Sequence, residues 1–229
     1  MDRMPAPSAL VMRQFAKGKL GSAKSNAAPS IDAEKFLDAI SDAICSAWAT
    51  WQSTATLGGV LINGPTAMGG QIIGPPMTPL ILARGPKATK QELSLSTAVS
   101  NVIGTAWLSF TATVKVGGLP WYPAFAAFPG PLAPPTPNIP CPFAALIMVA
   151  TPISASVLKS KMAAFAGAGT EILCGAIADA FEKSFHIWTV STMVTNVLGT
   201  GPVPTFAPPY VPVGPVVGGI GTMIPGGFV

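Results

Sequence analysis

The sequence predicts a mainly α fold with short β or extended segments. Three internal helix-plus-Gly/Pro-arm repeats would pack as a pseudo-threefold bundle. Two observations carry this expectation. The stretch 39-AISDAICSAWATWQSTATLGGV-60 is written again, ungapped and 59 residues later, as 98-AVSNVIGTAWLSFTATVKVGGL-119. A more diverged third copy lies at an offset of 137 from the first, with Ala39-Ile40 on Ala176-Ile177, Trp51 on Trp188 and Gly64-Pro65 on Gly201-Pro202. Repeats of this kind mark units that cannot bury their apolar face alone.

Residues 1–30 read as a basic N-terminal arm. Arg3, Arg13, Lys17, Lys19 and Lys24 face one acid, Asp2, while the rest of the chain is neutral. The arm reads as a solvated tail, or as a contact for an acidic partner. Repeat 1 spans 31–88. Its helix carries an apolar stripe of Phe36, Ile40, Ile44, Trp48 and Trp51, with Ser30 ahead of an acidic first turn of Asp32 and Glu34. Repeat 2 spans 89–142, with the stripe Leu95, Val99, Ile103, Trp107 and Phe110 and a capping-box pattern of Thr89 and Glu92. Residues 143–169 form an inserted segment with one or two helices, over 143-FAALIMVA-150 and 155-ASVLKSKMAAFAGA-168. Repeat 3 spans 170–229. It opens at Thr170 and Glu171, runs through Leu173, Ile177, Phe181, Phe185 and Trp188, and ends in a Pro/Gly arm.

After each helix a β-branched, Gly-rich stretch such as 53-STATLGGVLI-62 fits a short strand. The arms 64–79, 120–137 and 201–219 then read as polyproline-like or turn backbone, because proline has no N–H and a fixed φ. They are apolar between the prolines, so they read as wrapped over a neighbour in this chain or another.

Composition narrows the function. Apolar residues make 49% of the chain and charged residues only 10%, against roughly a quarter in ordinary soluble domains. Such a chain leaves apolar surface that a partner or membrane would cover. Three stretches, 43–83, 116–158 and 184–229, contain no charged residue. Each is broken by Pro and Gly. The run 143-FAALIMVA-150 is too short for the ~20 residues of a helical span. The expectation is therefore no conventional transmembrane span, with membrane contact left open. No secretory signal opens the chain, which points to a cytoplasmic or particle-associated assembly. Cys45, Cys141 and Cys174 are odd in number and lack CxxC spacing, against a disulfide framework or zinc site.

No catalytic, cofactor-binding or metal-ligating residues emerge. The one histidine, His186, flanks the third stripe, and no second histidine or GxSxG motif completes a triad. Glu34, Asp38 and Asp42 lie four apart, as on a solvated helix face. Aromatic and basic residues are not interleaved, so no nucleic-acid partner is expected. The pattern 47-AWATW-51 with Gly58-Gly59 and Gly64-Pro65 resembles small Ala/Gly/Pro-rich proteins encoded near phage-tail-like contractile injection systems. That resemblance implies a particle component. Together these readings lead to a non-enzymatic structural or assembly subunit of a symmetric particle, binding neighbouring subunits through its apolar arms. The alternative is a membrane-active protein inserting amphipathic helices.

Overall fold

The long helices dictate the interior. In the computed structural model, which describes residues 6–21, 31–208 and 210–229, there are six α-helices and ten strands among those residues. The helices are α1 (Ala9–Leu20), α2 (Ala33–Thr54), α3 (Met77–Arg84), α4 (Lys90–Thr113), α5 (Ala155–Ala166) and α6 (Glu171–Ser191). The strands are β1 (Thr56–Asn63), β2 (Thr66–Ile73), β3 (Val116–Pro120), β4 (Leu132–Thr136), β5 (Cys141–Pro142), β6 (Met193–Val194), β7 (Val197–Pro202), β8 (Phe206–Ala207), β9 (Val211–Pro212) and β10 (Val217–Met223).

The mainly α bundle expected from the sequence is therefore corrected. The fold is mixed α and β, and its organising feature is a six-stranded antiparallel sheet ordered β3-β2-β1-β10-β7-β4. Two small sheets, β5-β6 and β8-β9, complete it. The arms account for the difference. Residues 66–73 of the first arm are strand β2 and its last residues begin α3. The second arm contributes β4, and the third supplies the end of β7, both strands of the β8-β9 hairpin and the start of β10. Their prolines fall at turns and edges. Pro134 and Pro135 sit in β4, at one end of the sheet order, where a missing N–H breaks no ladder.

Three helix-to-strand passages resemble one another. Helices α2, α4 and α6 end at Thr54, Thr113 and Ser191, at the sequence offsets of 59 and 137. Five residues later Gly59, Gly118 and Asn196 take left-handed φ values of 69°, 82° and 57°. Asn196 is one of two non-glycine residues with positive φ among the described residues, a conformation asparagine tolerates better than most. Within the six-stranded sheet α2, α4 and α6 are each followed by two strands, β1 and β2, β3 and β4, and β7 and β10, and the second of each pair lies beside the first of another: β2 beside β3, β10 beside β1, β4 beside β7.

The stripes of the long helices meet in one aromatic core. Trp48 and Trp107 ring centroids are 4.7 Å apart, Trp51 and Trp107 4.8 Å, and Trp48 and Trp188 5.5 Å, in edge-to-face geometry. Phe110 packs on Phe185 at 4.8 Å and Phe143 on Trp188 at 4.6 Å. All these rings are buried. The chain's last turn of backbone closes the cluster, with Phe228 stacked on Trp51. Buried Gln52 ties it down, donating to the Phe228 carbonyl at 3.1 Å and accepting from Trp188 Nε1 at 2.9 Å.

Helix starts follow local chemistry. Thr89 and Glu92 form the reciprocal capping box. Asp32 caps α2 by accepting from the Lys35 N–H, while Ser30 lies outside the described residues. Thr170 makes no cap bond to α6: its backbone is in the αR region instead of the extended one of a capping residue, and its hydroxyl donates back to the Gly167 carbonyl at 2.7 Å. In the inserted segment, 155–166 is helix α5. The stretch 143–150 instead forms a single 3-10 turn at Phe143–Ala145 and then an extended run that bridges Lys115 through Ile147.

Part of the basic arm is a packed helix, not a solvated tail. Met12, Ala16 and Leu20 of α1 are buried, and Arg13 and Lys17 pair with Asp42 and Asp38 of α2. Two acids of this helix face are thus paired by the chain's own arm, while their side chains stay partly exposed. Arg3 and Lys24 lie outside the described residues.

A buried amide fastens the helices' far connection to the sheet. Asn138 donates to the carbonyls of Ile139 and Val194 and accepts from the Val197 N–H at 2.8 Å. Asn138→Ala leaves three backbone groups to find new partners. We expect it to lower stability by about 2 kcal/mol, read from denaturant melts.

Candidate interaction surface

The strands are set apart by the absence of charge. All ten lie within the three charge-free stretches, so no strand carries an ionisable acid or base other than the thiol of Cys141. Lys115 marks the border, its Nζ donating to the Gly70 carbonyl at 3.0 Å. Among the described residues twenty large apolar side chains remain exposed, and fourteen of them lie outside the helices.

Two groups stand out. On the sheet, Met68, Leu61 and Ile220 sit directly opposite one another across β2, β1 and β10, and are 42%, 52% and 54% exposed. At the loops, Phe125, Phe206 and Tyr210 are exposed where the connections after β3 and β7 interlock. There Phe128 N–H donates to the Pro212 carbonyl at 3.0 Å, and Gly214 N–H donates to the Ala126 carbonyl at 3.1 Å. Sequence reasoning named the arms as contact surface but not these side chains. Their exposure depends on which strand faces turn outward.

The grooves carry no acid–base machinery. One of 370 Å³ runs between residues 71–78 and α4, over Trp51, Ile73, Met77, Trp107 and Leu108. A smaller one of 200 Å³ lies between the start of α1 and α6, over Val11, Ser184 and Ile187. Neither is lined by an ionisable side chain. His186 is exposed, with its ring 5.8 Å from Phe185. Among the described residues no three His, Cys, Asp or Glu side chains gather as metal ligands, and no helix is long and apolar enough to cross a membrane.

The cysteines are free, with Cys45 and Cys174 buried. Burial pushes the Cys45 thiol up to about 12, and nearby Asp42 adds to the shift. Its Sγ lies 3.8 Å from Met12 Sδ, under α1. The folded state therefore favours the protonated thiol. Its contribution to stability is whole below pH 9, where an unfolded cysteine begins to ionise, and is lost as pH rises toward 12. The melting temperature should fall across this window, and less so for Cys45→Ala. Burial also raises the Cys141 and Cys174 thiols, and Tyr122 to about 12, so a smaller decline from pH 9 upward is expected to remain in that variant.

Comparison of the chain with protein-family models, with curated proteins and with solved structures gives no match.

Proposed function

We propose that the chain is a non-enzymatic assembly subunit of a larger symmetric particle, of phage-tail-like type, built from three like helix-and-strand units. The observation that carries this reading is that the ten strands carry no charged side chain, while fourteen large apolar side chains outside the helices stay exposed among the described residues. A free monomer would hold that surface in water at a cost, so its working state is covered. The matching helix ends and left-handed positions support the reading of three copies.

The covering is protein on this reading. Membrane insertion by the amphipathic helices would expose stripes that are buried against one another around Trp107. Surface-binding helices also need basic residues flanking the apolar face, and Arg13 and Lys17 are occupied by Asp42 and Asp38. Flotation with neutral and anionic vesicles tests the choice. The purified chain should stay at the bottom of the gradient as a species heavier than 23.3 kDa. Flotation with either vesicle would overturn the assembly reading in favour of the membrane.

A further inference from the structure

The six helices close a ring. Each short helix packs between two long ones: α3 between α2 and α4, α5 between α4 and α6, and α1 between α6 and α2. Two of the three seams are tied closely along the chain. Five residues join α3 to α4, four join α5 to α6, and both short helices follow other packed elements, β2 and a 3-10 turn at Thr151–Ile153. Twelve residues separate Leu20 from Ala33, and among the described residues no helix or strand precedes α1.

Helix α1 is also weakly built. Its N-cap, Ser8, makes no side-chain cap bond, and no acid stands in its first turn. Gly18 sits exposed in its last turns, where a Cβ would meet nothing within 4 Å. Three side chains, Met12, Ala16 and Leu20, anchor it. Its seat is incomplete: the 200 Å³ groove lies at its start, and Ser184, which lines that groove, keeps a buried Oγ without a hydrogen-bond partner among the described residues. Phe15 adds a contact to Lys183, whose Nζ lies 5.6 Å from the ring centre. The ion pairs Arg13–Asp42 and Lys17–Asp38 join side chains that are between 34% and 48% exposed, so salt screens both. Few buried contacts and solvent-exposed ties mark a unit that opens at less cost than the whole fold.

We propose that α1 is a strap that lifts as a unit from the seam between α2 and α6 while the rest of the fold stays intact, and that ionic strength sets how often it opens. Opening bares Cys45, whose Sγ lies 3.8 Å from Met12 Sδ, and frees the carboxylates of Asp38 and Asp42 beside it. A single copy suffices for this motion, whatever the chain assembles into. Thiol labelling of the native chain, read at Cys45 by peptide mass, tests it. Labelling should proceed in urea well below the global melt and rise little with urea, because lifting one helix exposes little surface. It should speed up from low to high sodium chloride. Gly18→Ala should slow it about fivefold through the helix propensity gained. Arg13→Ala combined with Lys17→Ala should speed it about threefold or more. A Cys45 rate that climbs with urea as steeply as global unfolding overturns the strap. So does a rate that is the same in both variants and at both salt concentrations.

Discussion

Trp107→Ala is expected to destabilise the fold by about 3–5 kcal/mol, the range for emptying a large aromatic site in a packed core. Trp107 is 2% exposed and contacts Trp48, Trp51, Phe110, Phe181, Phe185 and Trp188. Its partners come from all three long helices, so no single helix can shift to fill the hole. Trp48→Ala should cost a similar amount, because Trp48 holds the same position one copy earlier and touches Trp107, Phe181 and Trp188. The two losses should not add, since the rings are in contact. Chemical denaturation of the single and double variants measures this. If both single variants melt like the wild type yet lose assembly, the tryptophans face a partner and the core described above is wrong.

Gly104→Val should destabilise by about 1–2 kcal/mol, although replacing glycine inside a helix ordinarily helps. A Cβ at Gly104 would lie 2.0 Å from Thr78 Oγ1, 2.8 Å from Thr78 N and 3.1 Å from its Cα. The last two are backbone atoms of α3, so the obstruction cannot be relieved by turning a side chain. Thr78 is also fixed, its hydroxyl donating to the Ser100 carbonyl of α4 at 3.2 Å. Overpacking of 1–3 kcal/mol outweighs the roughly 1 kcal/mol gained from helix propensity, and valine adds further bulk. Gly175 on α6 is the contrast. Its Cβ would meet only the Lys159 side chain, at 3.5 Å, so Gly175→Ala should stabilise by about 0.5–1 kcal/mol. Thermal melts of the pair should move in opposite directions.

Much of the helical half was legible in the sequence. The spacing of Phe36, Ile40, Ile44, Trp48 and Trp51 is a helical face, and Thr89 with Glu92 is a local hydrogen-bonding device that needs no tertiary context. Helix α1 had a signal too, in the i, i+4, i+8 spacing of Met12, Ala16 and Leu20, hidden by the basic residues between them. The sheet was not legible, for physical reasons. Its strands have glycine where alternation would show, and positive-φ residues such as Gly59, Gly69 and Gly218 break the period of two. Its central pairing joins β1 to β10, with Val60 opposite Gly221, and no local pattern announces a contact across that much chain. Prolines that read as polyproline arms sit at strand ends and at an edge strand, where they are tolerated. The exposed row of Met68, Leu61 and Ile220 exists only once those strands are in register, so it had no signature in the sequence.

The absolute mass of the purified chain by light scattering, in plain buffer and in mild detergent, tests most directly the claim that the exposed apolar surface works covered by protein. A defined oligomer is expected in plain buffer, well above 23.3 kDa and unchanged by detergent. A chain that is dispersed only in detergent, or that is a stable monomer in plain buffer, would contradict it.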